Sequence, residues 1–61
     1  MNIFTHLIAD GLDVTIDVAL RVQNHIDNWY ELDWSEATKE EILFTAQLAF
    51  EDLNEIVPAN F

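Results

Sequence analysis

From Asn2 to Tyr30 the apolar residues recur at intervals of three and four, a spacing that only a helix puts to use. Turned through about 100° per position, Ile8, Leu12, Ile16, Ala19, Val22, Ile26, Trp29 and Tyr30 fall on one side. Asp10, Asp13, Asp17, Arg21, Asn24, Asn28 and Glu31 fall on the other. The series Ile8, Leu12, Thr15, Ala19, Val22, Ile26, Trp29 alternates four and three, the seam of a coiled coil with one polar member. Leu7, Val14 and Val18 widen the apolar arc beyond what one neighbouring helix covers. The pattern predicts a first helix over about 2–30. Gly11 marks either a break in it or the close approach of a second helix, because Gly inside a helix costs roughly 1 kcal/mol relative to Ala.

Residues 31–35 interrupt the period. Asp33-Trp34-Ser35-Glu36 places an acceptor side chain three positions before a Glu, and Thr38 repeats that spacing with Glu41, so Ser35 and Thr38 compete to cap the second helix. That helix is expected over about 35–57, stopped by Pro58. Its apolar face collects Ile42, Leu43, Ala46, Ala49, Phe50, Leu53, Ile56 and Val57. The expected fold is all-α: one domain over 1–61, an antiparallel helical hairpin with its turn at 31–35.

Two helices leave much of two broad apolar faces in water, and fully burying one large apolar side chain is worth about 1.5–3 kcal/mol. Two hairpins are therefore expected to pair into a four-helix-bundle-like homodimer, with a swapped or higher assembly as the alternative. Ile8, Leu12, Ala19, Val22, Ile26, Trp29, Ile42, Ala46, Ala49, Phe50 and Leu53 would form its core and interface. Self-association also answers the marginal stability of so short a chain, since a domain of about 60 residues buries only about 60% of its unfolded surface. The chain has no Cys, which removes disulfides and thiolate metal sites, and His6 and His25 stand far apart in sequence. No metal and no cofactor are expected.

Twelve acidic residues face two basic ones, a net charge of -10 on a chain that is 51% hydrophobic. Such a charge repels phosphate backbones and anionic lipid, so direct binding of nucleic acid or of a membrane is not expected. It points to a basic surface on another protein. The start of the chain has no basic segment leading into an apolar run, and no run nears the roughly 18 residues that span a bilayer, so the expected location is cytoplasmic.

The chemistry-bearing residues read as follows. Paired carboxylates serve general acid–base catalysis only in a water-excluding pocket that separates their pKa values, and a short hairpin offers little concavity, so no enzyme is expected. Asp10 to Asp17 loosely follows a calcium loop but lacks the alternate oxygen ligands and the terminal Glu. His25 projects toward the apolar side, as a packed residue or a pH-sensitive dimer contact, and His6 toward the polar side. Trp29, Tyr30 and Trp34 surround the turn, to close the end of the bundle or to anchor a partner. Nucleobase stacking would need a basic groove, and only Arg21 and Lys39 are basic.

Phe44 and Leu48 stand four apart, off the main apolar face, on the side carrying Glu40, Glu41, Glu51, Asp52 and Glu55. An apolar pair rimmed by acids fits a partner with a hydrophobic anchor and basic surroundings, or else burial between two copies. The acids also oppose the helix dipole: Asp27 and Glu31 close the first helix, and Glu51, Asp52 and Glu55 the second. Asp10, Asp13 and Asp17 form a second acidic row, rising about 4.5 and 6 Å on a helix against a duplex charge about every 1.7 Å, so mimicry of nucleic acid is permitted without being singled out. In size and composition the chain resembles small accessory proteins of bacteriophages and mobile elements, a likeness of composition alone. The expected function is a dimeric regulator or inhibitor that binds a basic protein. The alternatives are a nucleic-acid mimic that blocks a nucleic-acid-binding protein, and a self-assembling scaffold subunit.

Overall fold

The computed structural model describes residues 3–56, all of whose regular structure is helical. Three helices follow one another: α1 (Ile3–Leu12), α2 (Ile16–Trp29) and α3 (Lys39–Ile56). Each packs against both of the others. The single first helix expected from the periodicity is thus two helices, and the chain is a three-helix unit rather than a two-helix hairpin. The expected stop at Val57 and Pro58 lies outside the described residues.

The break falls just after Gly11, and Asp13 makes it. Its φ of 56° is left-handed, the Val14 N–H donates to the Ala9 carbonyl at 3.0 Å and the Asp13 N–H to the Asp10 carbonyl at 3.4 Å. This is the Schellman closure of a helix end, which places Gly or a short polar residue at the left-handed position. Thr15 then restarts the chain: its extended backbone and its side-chain oxygen, 3.3 Å from the Val18 N–H, cap α2. Asp17 in the first turn suits the positive end of the helix dipole.

Gly11 itself stays inside α1, and its reason is packing. A Cβ there would collide with Cδ2 of Leu43 and stand 3.1 Å from its Cδ1 and 3.2 Å from its Cγ. The missing side chain lets Leu43 of α3 lie directly on α1.

Between α2 and α3 the side chain of Asp33 organises a turn, accepting from the Ser35 N–H at 3.1 Å and the Ser35 hydroxyl at 2.6 Å, while the Asp33 carbonyl accepts from Glu36 and Ala37. Helix does not follow from there. It begins at Lys39, where Thr38 and Glu41 form a reciprocal capping box: the Glu41 N–H donates to the Thr38 hydroxyl oxygen at 3.1 Å, and Glu41 Oε1 accepts from the Thr38 N–H at 3.3 Å. Of the two competing caps, Thr38 is the one used. Thr38→Ala should lower stability by about 1 kcal/mol, read from the urea midpoint at unchanged slope, whereas Ser35→Ala should cost less.

The core is built from Ile8 and Ala9 of α1, Ala19, Val22 and Ile26 of α2, and Ile42, Ala46 and Ala49 of α3. Four of these eight are alanines, so the three backbones approach closely around four larger side chains. Leu12, Phe50 and Leu53 are half-buried around that centre. Trp29, expected in the core, is instead 76% exposed: it is the last residue of α2 and lines an open notch rather than the packed centre. At the same end Trp34 packs on Phe4 with ring centres 4.9 Å apart and donates its indole N–H to Asp27 at 2.9 Å. Thr5 is buried between α1 and α2 and donates to Gln23 Oε1 at 2.6 Å. Splitting the first helix thus lets one chain cover apolar arcs that two helices would have left open.

Candidate functional site

The buried row of α3 is Ile42, Ala46, Ala49, and Phe44 lies about 200° around the helix from Ile42, pointing away from the core. Phe44 is 65% exposed and Leu48, one turn on, 38%. Glu40 precedes Phe44 by one turn, Glu41 and Glu51 flank the pair, and Asp52 follows Leu48 by one turn. Glu40, Glu41 and Glu51 are exposed and Asp52 is half-exposed; the side chain of Glu55 lies outside the described residues. The solvent face of α3 is therefore an apolar pair inside a ring of carboxylates. The other exposed large apolar side chains among the described residues are Ile3 on α1, and Leu20 and Trp29 on α2.

Asp52 also belongs to a second feature. Its Oδ2 accepts the Tyr30 hydroxyl at 2.5 Å and lies 3.5 Å from Nε2 of buried His25, a distance that makes an ion pair when the imidazole is protonated. His25 and Trp29, one turn apart on α2, have ring centres 6.2 Å apart, and the rings of His25 and Tyr30 are 6.0 Å apart edge to face. These four side chains line an open notch of about 330 Å³ between the end of α2 and α3. Leu48 to Asp52 is one step along the same ridge of α3, so the notch continues the apolar pair.

The hydrogen bond to Asp52 raises the Tyr30 pKa above the ordinary 10.0, with desolvation and the negative charges of Asp52 and Glu51 adding to it. Tyr30 is the one tyrosine of the chain, so its phenolate absorbance can be followed directly. It should titrate above 10.0, and Asp52→Asn, which removes the charge, should bring it down toward that value. A folded-state pKa raised in this way contributes stability that is fully present below the unfolded value near 10 and is lost as pH rises through the folded one. Tyr30→Phe should flatten the alkaline loss of stability.

The three residues of the second acidic row separate. Asp10 is in α1, Asp13 holds the left-handed position and Asp17 lies in the first turn of α2, all three exposed but without a common helix to align them. Asp27, which seemed uncompensated at a helix end, holds the indole of Trp34. Among the described residues no group of three or more His, Asp or Glu is placed to hold a metal ion, and no helix is long and apolar enough to cross a membrane. The notch was missed from sequence because Asp52 reaches it from the other end of the chain; the visible signal was His25 and Trp29 one helical turn apart, followed by Tyr30.

No protein-family model, curated protein or solved structure matches the chain.

Proposed function

We propose that this protein is a small acidic regulator or inhibitor that binds a basic partner protein through the solvent face of α3, as a binding protein and not as an enzyme. Phe44 and Leu48 serve as the apolar anchor, and Glu40, Glu41, Glu51 and Asp52 supply the charged rim. The supporting observation is the exposure of Phe44 and Leu48 on the side of α3 opposite its buried row, within a ring of carboxylates. Apolar anchors give affinity, and complementary charge around them gives rate and selectivity.

The homodimer expected from the sequence is the competing occupant of the same face. An isologous contact sets the same patch of each copy against the other, and here that brings the acidic rim of Glu40, Glu41 and Glu51 on one copy against the acidic rim of the other. A basic partner has no such cost. The nucleic-acid mimic would draw on Asp10, Asp13 and Asp17, and their separation onto different elements lends it no support.

Recovery of partners from lysate with three proteins tests the reading. Phe44→Ala with Leu48→Ala should abolish capture at all salt concentrations. Glu40→Gln with Glu51→Gln should weaken it at low salt and reduce its salt dependence. Capture equal to the original by both variants refutes the proposal. Recovery of only the chain itself, with a dimer mass by light scattering, favours the scaffold.

A further inference from the structure

We infer that the notch formed by His25, Trp29, Tyr30 and Asp52 receives the guanidinium group of an arginine presented by a partner protein. The inference deepens the reading of a basic partner by naming the side chain that the partner contributes. Four observations carry it. Trp29, a residue 76% exposed although its ring is large and apolar, lines the notch, and the face of such a ring attracts a cation placed over it. Asp52 of α3 lines the same notch with its side chain 43% exposed, so its carboxylate can accept from an entering group while Tyr30 fixes its orientation at 2.5 Å. The end of α2 adds to the negative potential, because the last carbonyls of a helix carry roughly half a negative charge and the last turn of α2 contains no basic residue. Glu51 adds a further charge close enough to act on the Tyr30 hydroxyl.

An aromatic ring and a carboxylate lining one notch favour a planar cation. A guanidinium stacks flat on the indole while its edge donates to the carboxylate, whereas an ammonium is a strongly hydrated point charge that satisfies one of the two at a time. The volume of about 330 Å³ leaves room for the planar head and part of its methylene stem. The ridge Phe44, Leu48, Asp52 then gives the partner a continuous track, apolar at one end and cation-binding at the other.

The probe is a single blocked arginine, N-acetyl-arginine N-methylamide, compared with the matching lysine and citrulline compounds at constant ionic strength. The two indole N–H signals report binding in proton–nitrogen spectra, and Trp34, held by Asp27, is the internal control. Saturable millimolar shifts at Trp29 and the Tyr30 ring, absent at Trp34, are expected with arginine. Lysine should bind several-fold more weakly and citrulline not at all. Trp29→Ala, followed through the Tyr30 ring, and Asp52→Asn should each weaken arginine binding about tenfold or more. Phe44→Ala with Leu48→Ala should leave it unchanged. An equal response to citrulline, lysine bound as tightly as arginine, or arginine bound as well by both notch variants overturns the inference. The two readings fail separately: arginine binding with partner capture that survives loss of Phe44 and Leu48 removes the patch and keeps the notch. Loss of capture in that variant without arginine binding does the reverse.

Discussion

Ile26→Ala should unfold this protein or bring it close to unfolding, whereas Phe44→Ala with Leu48→Ala should leave its melting nearly unchanged. Ile26 is completely buried among the three helices, and truncating such a side chain removes its transfer free energy and leaves a cavity, together about 2–5 kcal/mol. A chain of this length has only about 3–9 kcal/mol of stability, at roughly 0.05–0.15 kcal/mol per residue. One core truncation therefore takes a large part of the whole. Phe44 and Leu48 face solvent, where substitutions stay within about 0.5 kcal/mol each. Denaturant titration of the two variants at several protein concentrations checks both halves. Midpoints that fall with dilution, together with a large loss from the Phe44/Leu48 pair, would mean that this face is buried between copies.

Gly11→Ala should destabilise the protein in spite of a better helix former in the last turn of α1. The gain in propensity is about 1 kcal/mol, against an overpacking cost of about 1–3 kcal/mol where the new methyl meets Leu43. The sign depends on Leu43, so the decisive measurement is a double-mutant cycle. In a Leu43→Ala background the collision is gone, and Gly11→Ala should then stabilise by about 1 kcal/mol. If Gly11→Ala stabilises equally in both backgrounds, Leu43 yields freely and the close approach of α3 to α1 does not constrain the position.

The apolar period pointed to Ile8, Ala19, Val22, Ile26, Ile42, Ala46 and Ala49, all of which are buried in the three-helix core. The apolar spacing within each helix is local and does not depend on how the helices are joined. The joint itself was hidden because Ile8, Leu12, Ile16 and Ala19 continue the three-and-four spacing straight across it. Its left-handed residue is Asp13, while the glycine that attracts attention lies two positions earlier for a tertiary cause, the side chain of Leu43. Thr15 resembled a polar member of the apolar seam because a Val, not a Glu, stands three positions after it, so only half of a capping box is present. The full box at Thr38 and Glu41 was legible. Of the candidate site, the exposed face of α3 follows from one helix and could be read from sequence. The notch requires knowing that the end of α2 lies beside Asp52, which local periodicity does not record.

The joint between α1 and α2 decides what covers the apolar faces of the other two helices. Without α1, the faces of α2 and α3 that it packs against would lie open to water. In the folded chain α1 lies on them, tethered by three residues, Asp13, Val14 and Thr15. A short tether gives an attached segment an effective concentration in the millimolar range, well above that of any free chain at micromolar concentration. The first helix thus covers, from within the same chain, apolar surface of α2 and α3 that would otherwise face water. The left-handed turn at Asp13 is what folds it back onto them.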